Sequence, residues 1–198
     1  GSKCDTSSAQ YQSQNAGLVD VLGSEEEIFA QMRQLVSMLP SNYEDNSAYT
    51  ECTDDLNRVC PELANCVGDT SIALSQIADN NEFFEVKAEY AKDMVTGFIR
   101  LNGATVGCVA NRSEIYNEEG EKTDSFDNVL SARGCKKAAQ FVKFCDAFEI
   151  PVLTLTNVKG YKATKCSEAN MARNAAELTN AFISATVPKV NVVIGEAF

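Results

Sequence analysis

An Asn-Gly pair at positions 102–103 constrains this chain more than any other feature. It separates Met94–Leu101 from Ala104–Ala110, two runs rich in apolar and β-branched residues. Asn and Gly supply the two positive-φ positions of a type I′ turn, whose twist matches paired strands. Residues 94–110 are therefore predicted to form a β-hairpin. Downstream the pattern alternates. A helix from about 130 to 148 carries Ala138, Phe141, Val142, Cys145 and Phe148 on one face. After Pro151, Val152-Leu153-Thr154-Leu155-Thr156 is apolar enough for a strand buried on both faces. A loop over Asn157–Thr164 leads to a helix from near Ser167 to about Ser184, and residues 189–194 read as another buried strand. Strand, helix, strand at these lengths is a right-handed parallel crossover. The prediction is an α/β layer fold in which a β-hairpin feeds parallel β-α units, one sheet edge stays open, and a helix and linker come first.

Residues 1–17 are rich in Ser, Gln and Asn and read as a tail, with Gly1-Ser2 resembling a cloning scar. Ser24 with Glu27 three residues on is a capping box, and Glu25–Glu27 suit the positive end of a helix dipole. Ile28, Met32, Leu35, Val36 and Leu39 give that helix an apolar face, and Pro40 with Ser41-Asn42 ends it. Residues 41–69 are polar and acidic without a sustained period, a linker wrapping a surface. A short helix over roughly 71–79 follows. Phe83-Phe84 reads as core, and 112–127 as a charged excursion with Glu118-Glu119-Gly120-Glu121 at its tip.

Composition prunes the chemistry. The chain of 198 residues has no histidine, so Ser-His and Cys-His nucleophile pairs and His-containing zinc sites are impossible within it. Any catalysis must run on carboxylates, Lys, Tyr, Cys or backbone amides. Cysteines stand at 4, 52, 60, 66, 108, 135, 145 and 166 without a C-x-x-C pair. Cys52, Cys60 and Cys66 lack a fourth ligand at suitable spacing, so free thiols in a reducing cytoplasm are expected rather than a metal. The net charge of −11 disfavours a nucleic-acid partner. Acidic residues crowd the first two-thirds, while residues 131–198 carry an excess of Lys and Arg, either as a solvated face or to meet an anionic small molecule. No apolar run reaches the roughly 20 residues of a membrane span.

In open α/β sheets ligands bind beyond the carboxyl ends of the strands. Those ends are Asn157–Thr164 and the segment after Ile194. The first carries Lys159, Gly160, Tyr161 and Lys162 ahead of a helix N-terminus. Two readings stand side by side. The Gly160 and Tyr161 amides hold an oxyanion or phosphate, or Gly160 serves only the turn and the lysines keep the loop soluble. Asp146 and Glu149 are most simply helix-face charges.

Several stretches resemble the acyl-CoA carboxyltransferase family. Residues 83–111, Ala138 to Pro151 (Ala-Ala-Gln-Phe-Val-Lys-Phe-Cys-Asp-Ala-Phe-Glu-Ile-Pro) and Ala185-Thr186-Val187-Pro188-Lys189-Val190 resemble its C-terminal half, and Leu39-Pro40-Ser41-Asn42 resembles the junction between its halves. The resemblance covers roughly residues 17–198. It implies a partial ClpP/crotonase-like fold: a tail over 1–17, an interdomain helix and linker over 18–70, and over 71–198 the first part of a C-terminal carboxyltransferase domain, ending before the family's Gly-x-Ala-Tyr loop.

The resemblance further implies transfer of a carboxyl group between biotin, held on a separate carrier protein, and an acyl-CoA substrate, in carboxylases, transcarboxylases or decarboxylases. It implies homo-oligomers built through crotonase-like domains, no metal, and no membrane insertion of this subunit. The family's Asp-Val-Pro-Gly-Phe, Pro-Gly, Gln-Glu and Arg-His-Gly positions read here Asn157-Val158-Lys159-Gly160-Tyr161, Ser167-Glu168 and Arg173-Asn174-Ala175. Gly160 and Tyr161 are thus the expected backbone oxyanion loop, with Lys159, Lys162, Glu168 and Arg173 as substrate-binding candidates. The second glycine, the glutamine and the histidine are missing, which bears on substrate choice. Catalysis by these residues alone is not expected. Two other readings are a non-catalytic assembly module, and a crotonase-type hydratase or isomerase with Glu168 as its acid/base.

Overall fold

A computed structural model describes residues 5–45 and 48–198; Gly1-Ser2 and Cys4 lie outside them. In chain order the elements are α1 (Ala9–Tyr11), continued by a π-helical turn (Gln12–Ala16), α2 (Glu25–Met38), α3 (Thr70–Ile77), β1 (Phe83–Val86), β2 (Met94–Leu101), β3 (Ala104–Asn111), β4 (Glu114–Tyr116), β5 (Lys122–Ser125), α4 (Ala132–Ala147), β6 (Val152–Val158), α5 (Lys165–Ser184) and β7 (Lys189–Ala197). The main sheet runs β1-β2-β3-β6-β7, and β4 and β5 form a separate ribbon. β1, β2 and β3 are antiparallel, while β3, β6 and β7 are parallel.

The hairpin forms at the predicted residues. Asn102 and Gly103 take φ of 49° and 82°, the left-handed region an Asn-Gly turn requires. The linker is laid against this turn, with Thr50 N–H donating to the Gly103 carbonyl at 2.9 Å. Farther on, Arg58 donates to the carbonyls of Gln76 (2.7 Å) and Ala78 (2.6 Å), which ties the linker to the end of α3.

β2 is covered on both faces because its side chains alternate between two helices. Met94 and Phe98 join Phe141, Val142 and Cys145 of α4 in one core. Val95 and Ile99 join Leu74 of α3 and Cys108 of β3 in the other. The Phe98 and Phe141 ring centroids lie 5.1 Å apart. α5 packs beside α4 through Met171 against Ala132 and Cys135. One charge is sunk in this core. Lys137 of α4 is 1% exposed, and its Nζ donates to the carbonyls of Met94 (2.6 Å), Tyr90 (2.7 Å) and Ala91 (3.5 Å). Burial pulls its pKa down to about 7 from an ordinary 10.5, against an opposing pull from Glu85.

Several expectations need correction. Residues 189–194 form a strand, but β7 is the sheet's exposed edge rather than buried, with Val190 at 59% and Val193 at 52% exposure. The reason is that α5 seats on α4, so no helix covers either face of β7. The apolar face of α2 is rotated. Met38 is fully buried while Met32 and Val36 are 52% and 70% exposed, because the face of α2 that packs on the core runs through Leu35, Met38 and Leu39. Within the expected tail, residues 9–16 are helical: Ser8 caps the segment, Ser13 is buried, and Gly17 ends it in a left-handed conformation. Phe83-Phe84, read as core, are core residues of β1: Phe84 is buried on one side of the sheet and Phe83 packs against the other core. The charged excursion is the β4–β5 ribbon.

Candidate functional site

The carboxyl ends of β3, β6 and β7 are joined by two asparagines. Asn157 N–H donates to Asn111 Oδ1 at 2.8 Å, and Asn111 Nδ2 returns a hydrogen bond to the Asn157 carbonyl. Asn157 Oδ1 in turn accepts from Glu196 N–H at 3.0 Å. Gly195 makes room for this, since a Cβ there would stand 2.3 Å from Asn157 Oδ1. Three parallel strands therefore end in a fixed arrangement, with polar backbone groups satisfied where the ladder breaks.

From this platform the loop turns onto residues 128–130. Lys159 N–H donates to Asn128 O (2.7 Å), Leu130 N–H to Gly160 O (2.9 Å) and Lys162 N–H to Leu130 O (2.9 Å). The amides of Gly160 and Tyr161 have no acceptor among the described residues, as is also true of Ala163 and Thr164 farther along the loop. Gly160 has φ of 144°, a conformation that L side chains rarely adopt, and no atom lies within 4 Å of where a Cβ would stand. Two consecutive N–H donors thus sit at the open end of β6, next to Lys159 and Lys162.

A groove of about 640 Å³ runs alongside, with Lys159, Tyr161 and Lys162 on one wall and Glu114 and Asn128 on the other. Its acid wall is held in place. Asp69 caps α3 through Ser71 N–H (3.2 Å), accepts from Tyr116 N–H (3.0 Å), and faces buried Arg112 at 3.6 Å, which anchors the ribbon. Tyr116 Oη donates to Glu114 at 2.8 Å and Lys122 stands 3.3 Å away, so the Glu114 carboxyl titrates below its usual range. Lys159 Nζ lies 3.5 Å from Glu196. Asn128 Oδ1 is buried without a partner among the described residues.

The structure brings together Lys159, Gly160, Tyr161 and Lys162. Arg173 lies elsewhere, lining a second cavity shared with Lys162 and pairing with Glu177 at 3.5 Å. Glu168 is an exposed residue of the first turn of α5, not seen in the walls of these two cavities. Sequence reading missed Asn111, Asn128 and Glu114. An asparagine ending each of two neighbouring apolar runs was the available signal for Asn111 and Asn157. Nothing comparable marks Glu114, which is brought to the groove by the ribbon.

Comparison with known proteins decides the family. A profile described as the carboxyl transferase domain matches residues 4–198. The chain belongs to the carboxyl transferase domain family. This carboxyl transferase domain is 36% identical over 180 residues to a propionyl-CoA carboxylase beta chain of Roseobacter denitrificans, covering 87% of this chain and 33% of that protein. It is 30% identical over 183 residues to the methylmalonyl-CoA decarboxylase subunit alpha of Veillonella parvula, covering 88% and 34%. The solved structure of transcarboxylase 12S, a hexamer with hydrolysed methylmalonyl-coenzyme A bound, superposes with a TM-score of 0.81 at 29% identity, over 93% of this chain and 36% of that one. The fold is thus the crotonase-like one of the carboxyltransferases. The chain spans about a third of the length of these relatives. Among the described residues no helix is long and apolar enough to cross a membrane.

Proposed function

We propose that this chain is part of a biotin-dependent carboxyltransferase that moves a carboxyl group between biotin and an acyl-CoA. The observation that carries the proposal is the pair of unpaired amides at Gly160 and Tyr161, at the carboxyl end of a parallel strand in a carboxyl transferase domain. Two N–H groups without acceptors fit the oxygen of a ureido ring, and they need no side-chain base in a chain that has no histidine. Biotin, when bound, supplies the nitrogen to and from which the carboxyl group passes. The amides of Gly160 and Tyr161 donate to the oxygen on which negative charge grows. One such donor is worth about 10²–10³ in rate. Lys159 and Lys162 add positive potential beside them, and the Asn111–Asn157 pair keeps the loop from drifting as charge develops.

The proposal includes a biotin carrier protein and further copies of the subunit as partners, because these residues match only about a third of each relative. The free thiols of the seven described cysteines support a reducing compartment, the cytoplasm. The test is carboxylation of free biotin from malonyl-CoA. A subunit of full family length carrying this segment is expected to turn over, and these 198 residues alone are not. Absence of transfer from every acyl-CoA offered to the long protein contradicts the function; turnover by the short chain contradicts its dependence on the rest.

A further inference from the structure

We propose that the exposed stripe of α2 is an interface with a second copy of this chain, the two α2 helices packing antiparallel. The apolar side chains of α2 cover a wide arc, and its own domain takes up only the inner half of it. Met38 is buried, and Leu35 and Leu39 pack against the core. The outer half is bare. Leu22, Phe29 and Val36 recur every seven residues with Met32 between the last two, and all four are exposed, Phe29 by 57%. This spacing is the seam of a two-helix coiled coil, with Leu22, Phe29 and Val36 at one core position and Met32 at the other. Glu25 takes the remaining seam position in the first turn, where the seam ends. An apolar stripe rimmed by charges marks an interaction surface.

The flanking charges select the partner and its orientation. Glu26 and Arg33, also seven residues apart, follow the seam on its outer side and share a groove with Phe29 and Ala30. Both are exposed, and neither makes an ion pair among the described residues. The equivalent positions on the inner side are Ile28 and Leu35, and Leu35 is turned to its own core. In a parallel pair the outer flank of one helix meets the inner flank of the other, which sets Glu26 and Arg33 against apolar side chains. In an antiparallel pair outer flank meets outer flank. With Phe29 of one copy against the partner's Met32, Glu26 faces the partner's Arg33, and Arg33 faces the partner's Glu26. The stripe is thus complementary to itself in one orientation. Two 14-residue helices make a small interface, so a reversible dimer is expected rather than a permanent one. The inference names a surface for the further copies in the proposed function and does not depend on carboxyl transfer.

The test is sedimentation velocity of the 198-residue chain over a range of concentrations, with Val192→Lys present throughout to remove pairing at the β7 edge. The Val192→Lys chain is expected to dimerise reversibly. Adding Phe29→Ala is expected to weaken the dimer at least about tenfold. Glu26→Arg or Arg33→Glu, each of which sets like charges together in both flanking pairs, is expected to weaken it at least about tenfold as well. All three positions are exposed, so the fold is kept. Mixing the Glu26→Arg chain with the Arg33→Glu chain is expected to restore association to within about threefold of the parent, since each cation of one then faces a carboxylate of the other. A monomer at all concentrations overturns the inference and leaves the stripe to other parts of a longer subunit. Association that ignores the α2 substitutions, or single variants that fail to complement one another when mixed, also overturns it. None of these outcomes touches the transfer reading, which turnover tests.

Discussion

β2 and β7 are both apolar strands of one sheet, and they end in opposite environments. β2 is buried over Met94–Ile99, while β7 is exposed along nearly its whole length. Composition does not separate them, since β7 carries Val190, Val192, Val193 and Ile194. The helices do. α3 and α4 each cover one face of β2, whereas α5 lies against α4 and leaves β7 open. A strand's burial is decided by what its neighbours cover, and a sheet edge of this kind is a ready surface for pairing.

The sharpest way to break the comparison is to truncate matched residues. Phe98→Ala is expected to lose about 3–5 kcal/mol of stability in urea unfolding, through the cavity it leaves against Phe141. Val193→Ala is expected to change stability by no more than about 0.5 kcal/mol. Comparable losses at the two positions would mean that β7 is covered in solution. Asn157→Leu is expected to cost about 0.5–1.5 kcal/mol, because Asn111 Oδ1 keeps its backbone donor while the exposed Glu196 N–H exchanges its side-chain acceptor for water. It should also broaden the Gly160 and Tyr161 amide resonances; an undisturbed loop would show that the asparagine pair does not position it.

Lys137 gives a pH-dependent test of the β2 side. Its folded pKa, about 7, lies below the ordinary 10.5, so between those values the unfolded chain binds a proton the native chain lacks. Its contribution to stability therefore rises with pH from about 7 towards 10.5, and its penalty is fully present below 7. Lys137→Met is expected to abolish that rise while costing about 1–3 kcal/mol near neutral pH, as three carbonyls lose their donor. A variant with the same pH slope as the parent would assign the slope elsewhere. On the β7 side the expected effect is the smallest: concentration-dependent association in sedimentation velocity, weakened by Val192→Lys. A monomer at all concentrations would remove the open strand as a pairing surface.

The elements that could be read from sequence were those with a local cause. The Asn102-Gly103 turn, the Ser24–Glu27 capping box and the Ala138–Phe141–Val142–Cys145 face each depend on residues close in the chain. β7's exposure, the rotated face of α2 and the ribbon's delivery of Glu114 depend on how distant elements pack, which periodicity does not encode. The candidate site divides in the same way. Lys159, Gly160, Tyr161 and Lys162 are contiguous and stay together. Glu168 and Arg173 are grouped with them by the family pattern and stand on α5, where Arg173 lines the second cavity together with Lys162. Buried Lys137 was invisible because its partners are carbonyls, which every residue has.

The central claim is that the Gly160 and Tyr161 amides form the oxyanion-binding element of a carboxyltransferase. The most direct measurement is a titration of the ¹⁵N-labelled chain with free biotin, repeated with Tyr161→Pro. The account predicts saturable shifts led by these two amides, and binding weakened by the loss of one donor. Biotin that leaves both amides unmoved, or binds Tyr161→Pro equally well, would contradict it.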